Sequence, residues 1–135
     1  MNYRYEVIYK LNDKSYVTST YNDKLSDCIP VIINKENKGR KIVGIQKIAK
    51  EVSYIDIKDV IYVANIRLID GGINKCCIFD EDGVGIELKE YLADPMSLLV
   101  GRRCLKAQNT LSSIFINAED VASINIEIMD INDWR

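Results

Sequence analysis

Two stretches of the chain share a pattern, and that pattern decides how the whole sequence is interpreted. The first, Gly39-Arg40-Lys41-Ile42-Val43, is followed by Tyr54-Ile55-Asp56-Ile57-Lys58-Asp59-Val60. The second, Gly101-Arg102-Arg103-Cys104-Leu105, is followed by Phe115-Ile116-Asn117-Ala118-Glu119-Asp120-Val121. Similarity that recurs in the same order along a chain predicts a duplicated structural unit. The alternative is chance matching in a sequence rich in Ile, Lys, Asn and Asp.

Both halves consist of short apolar–polar alternations separated by turn residues. Tyr3, Tyr5, Val7 and Tyr9 alternate with polar residues, and this period of two predicts a strand with one buried face. Further strands are predicted over 15–21, 41–49, 52–57, 60–69, 75–79, 84–89, 102–108, 111–116 and 121–129. The stretches 22–38 and 90–100 favour short helical segments, each with one proline placed where a first helical turn tolerates it.

The order of these elements is the same in both halves: hairpin, variable loop, second hairpin, one tight helical turn and a final strand. This order resembles the SH3-like and Sm-like small barrels, and segments 55–61 and 116–122 carry the resemblance. We therefore predict a mainly β protein of two tandem pseudo-repeats. Each would be a five-stranded, barrel-type unit with a short helix in its variable loop. The resemblance concerns the fold and implies no function.

The predicted repeats span residues 1–62 and 63–135 and pack together as one compact unit. The strand at 60–69 has apolar residues on both faces, which is typical of a strand covered on both sides. We expect this strand to be shared by the two repeats or to abut both. Sharing would suit units of this size, since each buries too little apolar surface to be stable alone.

The composition of the chain excludes several classes of function. The net charge of −2 argues against a long basic surface that wraps duplex DNA. The chain has no histidine, which excludes Ser-His-Asp and Cys-His catalysis and the usual zinc ligand sets. Its four cysteines form no C-x-x-C pair, and no phosphate-binding glycine motif is present. We therefore expect no enzymatic activity, no cofactor and no metal.

The expected location is the cytoplasm, without a membrane partner. The first residues alternate in polarity and lack the apolar centre of a secretory signal. No apolar stretch approaches the roughly 20 residues that span a bilayer. The cysteines are accordingly expected to be reduced and mostly buried. The abundance of Ile, Lys and Asn is compatible with an AT-rich coding sequence, such as that of a phage or mobile element.

Three features are candidate ligand- or partner-binding sites. The basic pairs Arg40-Lys41 and Arg102-Arg103 follow a glycine in both halves, and arginine can grip phosphate or carboxylate groups through two parallel hydrogen bonds. The alternative is that these side chains only cover a strand edge while their charges stay solvated. Trp134 is the third candidate, because tryptophan often anchors an interface; it could instead dock back on the domain.

The leading functional hypothesis is a small non-enzymatic binding protein that engages or inhibits a host protein. The alternative is a nucleotide- or single-stranded nucleic-acid-binding module. In it, Arg40, Lys41, Arg102 and Arg103 would hold phosphates while tyrosines of the first hairpin stack on bases. For those tyrosines, core or cross-strand packing is the favoured interpretation, since aromatic residues are ordinary strand formers. A homodimer formed through an edge strand is a further expectation.

Overall fold

The protein is mainly β, as predicted. Its structure, a computed structural model, describes residues 3–134. The strands of this part of the chain are β1 Arg4–Asn12, β2 Ser15–Thr18, β3 Ile42–Ile48, β4 Val52–Asp56, β5 Val60–Leu68, β6 Ile73–Phe79, β7 Cys104–Gln108, β8 Ser113–Asn117 and β9 Val121–Asp130. The α-helices are α1 Cys28–Asn37 and α2 Ile131–Trp134. Short 3₁₀ helices cover Leu25–Asp27, Ile57–Asp59, Leu88–Tyr91, Pro95–Leu99 and Ala118–Asp120.

The strands form two antiparallel sheets, a four-stranded one in the order β2-β1-β3-β4 and a five-stranded one in the order β8-β7-β6-β5-β9. A barrel closes only when its outermost strands hydrogen-bond to each other. Between residues 3 and 134, β2 does not pair with β4, and β8 does not pair with β9. The predicted barrel-type units are therefore corrected to two open sheets.

The predicted duplication is not confirmed, because the two sheets differ in strand order. In the first sheet, β3 pairs with β1, so β1 lies between β2 and β3. In the second sheet, β7 pairs instead with β6, the second strand of the hairpin before it. The strand predicted at 60–69 forms as β5, but it is hydrogen-bonded within the five-stranded sheet alone. It is therefore not a strand shared by both sheets.

The first compact unit comprises the chain up to Ile61 together with Ile128–Trp134. A row of apolar residues crosses its sheet, since Val7, Ile45 and Ile55 pair directly on neighbouring strands and are 0, 0 and 7% exposed. The amphipathic helix α1 contacts β1 and β3 and buries three side chains of its own. The period-two pattern that predicted the strands thus corresponds to the buried side of this sheet.

The second compact unit contains Tyr62–Glu127. Its core combines the inward residues of the five-stranded sheet with two side chains from the 3₁₀ segments, Leu88 and Leu98, which are 3 and 0% exposed. The strand predicted at 84–89 is wrong. Only Gly85 forms an isolated bridge there, and the 3₁₀ helix that begins at Leu88 directs that leucine into the core.

Candidate functional site

The glycine that precedes each basic pair has a left-handed backbone, with φ of +78° at Gly39 and +73° at Gly101. Glycine adopts this conformation without the steric cost that a Cβ atom would add. The arginine that follows then reaches a backbone carbonyl: Arg40 Nη1 donates to the oxygen of Leu11, and Arg102 Nη1 donates to that of Leu98 at 2.7 Å. Both guanidinium groups therefore hold the chain's own backbone.

The second residue of each pair is placed differently. Lys41 and Arg103 are exposed, and each accepts one backbone hydrogen bond through its carbonyl oxygen, from the N–H of Lys10 and of Ala118 respectively. Lys41 lies in the first unit and Arg103 in the second. The Arg102-Arg103 pair lines a cavity of the second unit, and Arg103 is the exposed member of that pair. Trp134, the last candidate, ends α2 and is half-buried.

Four tyrosines of the first unit have a cation of the same chain over one ring face. The pairs, with the distance from cation to ring centre, are Lys47 over Tyr3 at 4.0 Å, Arg4 over Tyr21 at 4.7 Å, Lys35 over Tyr9 at 4.8 Å and Lys10 over Tyr16 at 5.6 Å. Each distance lies within the range of a cation–π contact. A ring face that holds an internal cation offers less room for a stacked base, which weakens the tyrosine-stacking hypothesis.

The second unit carries an aromatic–basic–aromatic row on the outer side of its sheet. Phe79 of β6 pairs with Lys106 of β7, and Lys106 pairs with Phe115 of β8. Directly opposite residues of antiparallel strands project from the same face. The alternate residues, Ile78 and Ala107, are 1% exposed and belong to the core on the other face. Phe115 is 72% exposed, whereas Phe79 and Lys106 are half-buried.

We call this row and the residues around it the outer face; it borders a cavity of about 510 Å³. The cavity is lined by Phe79, Asp80, Glu81, Gly101, Arg102, Arg103, Cys104, Lys106 and Phe115. Basic and acidic side chains therefore surround an aromatic centre. Its volume lies in the range of small-molecule and peptide side-chain pockets.

The aromatic row was not predicted from the sequence, although the sequence contains a signal for it. In β7 and β8 the outward positions hold Cys104, Lys106 and Gln108 and then Ser113, Phe115 and Asn117. Phe115 is the single large apolar residue of this outward set, and an apolar side chain at a solvent position often marks an interface. The pairing of Phe79 with Lys106 was out of reach, because the two lie on strands that are separated by two 3₁₀ helices.

The thiols show different environments. Burial raises the pKa of Cys28 to about 11 and that of Cys76 to about 12, and it also raises the pKa of Cys77. These groups stay protonated near neutral pH and are poor nucleophiles there. Cys104 is exposed on the outer face. In the described range 3–134, no cluster of side chains is suited to hold a metal ion, and no helix is long and apolar enough to cross a bilayer.

Comparison with known proteins adds no identification: no protein-family model matches the chain, and no curated protein or solved structure gives a significant match.

Proposed function

We propose that this protein is a non-enzymatic binding protein that holds a protein partner against its outer face. The observation that carries the proposal is the row of Phe79, Lys106 and the exposed Phe115 beside the cavity that Arg103 lines. A few residues contribute most of the binding free energy in a protein interface, and phenylalanine and arginine are both more frequent in interfaces than on the remaining surface. An exposed phenylalanine on a rigid strand also loses little conformational entropy when it is covered, because it has only two rotatable side-chain bonds.

The charges around the cavity favour a protein over a nucleic acid. Arg103 and Lys106 are faced by Asp80 and Glu81 along the same lining. A surface that binds a single strand through its phosphates is expected to be uniformly basic. Mixed charge around an aromatic centre is typical of a protein interface, in which a polar rim encloses an apolar core. The partner should accordingly present an apolar knob flanked by both acidic and basic groups.

The internal contacts of the basic pairs support the same choice. Arg40 and Arg102 each donate to a backbone carbonyl, so releasing them to a phosphate would leave that carbonyl without its donor. Each guanidinium keeps further N–H donors, but these bonds restrict the directions from which a phosphate could approach Arg40 and Arg102.

The test compares variants that change the outer face with one that changes charge elsewhere. Tagged wild-type protein, Phe79→Ala, Arg103→Glu and the matched control Lys41→Glu are used to capture proteins from a lysate of the cells that encode the chain. A captured partner is then purified and titrated by calorimetry. We expect Phe79→Ala and Arg103→Glu to weaken its binding at least about tenfold, as interface anchors do, and Lys41→Glu to leave it unchanged.

Two results would contradict the proposal. One is a partner that binds both outer-face variants as tightly as the wild type. The other is tight binding of a fluorescent single-stranded oligonucleotide whose affinity falls steeply with salt, since that dependence reports phosphate contacts.

The finer predictions about this protein remain proposals. A 3₁₀ turn stands before β5 and again before β9, which supports the duplication and the SH3-like or Sm-like resemblance without a closed barrel. The proposals that the protein originates in a phage or mobile element, acts on a host protein and is cytoplasmic rest on its composition.

A further inference from the structure

The edge strand β8 exposes a set of backbone hydrogen-bonding groups. Arg103 accepts from Ala118 at 2.9 Å, and Asn109 donates to Ser112 at 3.0 Å. Both bonds extend the β7–β8 register, in which Cys104 is opposite Asn117. Hydrogen-bonded and non-hydrogen-bonded pairs alternate in an antiparallel ladder. Within β8, the groups of the two isoleucines are therefore directed at β7.

The remaining residues of β8, Ser113, Phe115 and Asn117, direct their N–H and C=O groups away from β7. In the part of the chain that the structure describes, no strand pairs with this side of β8. Proteins usually protect such an edge with a charge, a proline or a bulge. The sequence Ser113-Ile114-Phe115-Ile116-Asn117 contains no charge and no proline, and its register with β7 is unbroken. The edge is therefore open to another strand.

We propose that β8 pairs with β8 of a second copy of this chain, antiparallel and with Phe115 on the two-fold axis. The proposal goes beyond the protein partner of the outer face, because its occupant is an identical chain. In this register Phe115 is opposite Phe115 of the other copy, and Ser113 is opposite Asn117. The groups that point outward meet one another in every pair and form about four hydrogen bonds, because the Asn117 carbonyl already accepts the first bond of the 3₁₀ helix Ala118–Asp120.

The side chains also complement themselves across the proposed axis. The two Phe115 rings would meet on the outer face, about 5.5 Å apart at Cα. They would cover an aromatic surface that is 72% exposed in the single chain. The Ser113 hydroxyl would lie beside the Asn117 amide and can donate to its oxygen. Because the strand is uncharged, two copies meet without repulsion. A contact of this kind is isologous and closes at two chains.

The edge strand β4 of the first sheet lacks this self-complementarity. Its outermost positions include Asp56, whose carboxylate already accepts from the Lys58 N–H at 3.1 Å to start a 3₁₀ helix. Asn117 of β8, at the corresponding place before Ala118–Asp120, makes no such side-chain bond. It is thus available to a second chain.

The test exploits the symmetry of the contact. The mass of the full chain is measured by sedimentation over a wide concentration range for wild type, Phe115→Lys, Phe115→Glu and an equimolar mixture of these two variants. Wild type should move from one chain to two as concentration rises. Each variant alone should dimerise at least about tenfold more weakly, because like charges oppose each other. The mixture should recover the dimer, since lysine then faces glutamate.

Two further variants separate this edge from other surfaces. Asn117→Pro should also weaken the dimer, because it removes an outward N–H, and the backbone already has the φ of −65° that proline requires. Val52→Lys adds the same charge as Phe115→Lys to β4, at a residue that is 64% exposed, and should leave the dimer unchanged. Circular dichroism establishes that every variant is folded.

A wild-type chain that stays monomeric throughout the range would overturn the proposal. So would an assembly larger than two chains, which would indicate a head-to-tail contact, or a mixture of the charged variants that remains monomeric. Arg103→Glu tests the protein partner of the outer face and leaves the β8 edge unchanged. Loss of that partner therefore neither supports nor contradicts the dimer.

Discussion

The hairpins β3–β4 and β7–β8 have similar lengths and both lead into a 3₁₀ turn, but their outer sides differ. Tyr54 of β4 lies across Gly44, and its hydroxyl donates to the carbonyl of Val43 at 2.9 Å. Phe115 of β8 has no hydroxyl to anchor it, pairs with Lys106 and is 72% exposed. The first hairpin uses its aromatic residue to cover its own backbone, whereas the second leaves it available to another molecule.

The absence of a side chain at position 44 makes this difference. A Cβ atom at Gly44 would lie 2.4 Å from the Ile55 carbonyl oxygen and 2.6 Å from the Tyr54 hydroxyl. The ring can approach the strand only because that space is empty. In β7 the residue opposite the end of β8 is Cys104, as Gly44 is opposite the end of β4. A side chain there prevents the same close approach.

The largest expected effect is that of filling this space. Gly44→Ala should lower the free energy of unfolding by about 2–3 kcal/mol, as overpacking does. The reason is that the new methyl group overlaps a backbone oxygen that can move only with its strand. Thermal and urea denaturation measure the change.

The control for this variant is Cys104→Ala, on the exposed side of β7. Its stability should stay within about 0.5 kcal/mol of wild type, as for most surface substitutions. An equal loss of stability in Gly44→Ala and Cys104→Ala would show that the outer sides of the two hairpins are packed equally tightly.

The basic pairs give a smaller effect. Arg102→Met should cost about 1–2 kcal/mol of stability, the range for losing a charged donor to a carbonyl. That carbonyl belongs to Leu98, and the bond is partly buried. The neighbouring Arg103→Met should cost less than about 0.5 kcal/mol, as expected of a surface position, since that side chain is exposed. Urea denaturation of both variants distinguishes the structural arginine from the one available for binding. A larger loss for Arg103→Met would reverse the roles assigned to the pair.

Exchanging the hydroxyl group between the two hairpins gives the smallest effect. Tyr54→Phe removes the bond to Val43. It should destabilise the fold by about 1 kcal/mol, the usual net contribution of one hydrogen bond. Phe115→Tyr should change stability by less than about 0.5 kcal/mol, because its ring is mostly in solvent. Chemical denaturation of both proteins at neutral pH measures the pair. If the two changes cost the same, the bond from Tyr54 does not distinguish the hairpins.

Local sequence patterns predicted most of the strands but not their pairing. Alternation in residues 3–9 and 121–129 identifies a buried face without naming the strand beside it, because period two reports only which side is apolar. Either strand of the first hairpin could pair with β3. In the structure β3 pairs with β1, the first strand of that hairpin, whereas β7 pairs with β6, the second strand of the hairpin before it. The barrel prediction failed at this step, since closure depends on pairing between residues far apart in the chain.

The candidate site likewise combines features that are visible in the sequence with features that only the pairing of strands decides. Sequence analysis identified Arg102 and Arg103 as a pair, because a basic dipeptide after glycine is visible in one dimension. It could not separate the arginine that donates to Leu98 from the exposed one. Nor could it find Phe79 beside Lys106, because cross-strand neighbours are set by register.

For this protein, the sequence alone determined the β class, the positions of most strands and the lack of histidine chemistry. These properties depend on residues that are adjacent or nearly adjacent in the chain, so composition and periodicity reveal them. The tertiary structure decided which strands pair, that Tyr54 covers Gly44, and that Phe115 stays open on an edge. Those outcomes depend on packing between segments that are distant in the chain, and the periodicity of the sequence does not specify which segments pack together.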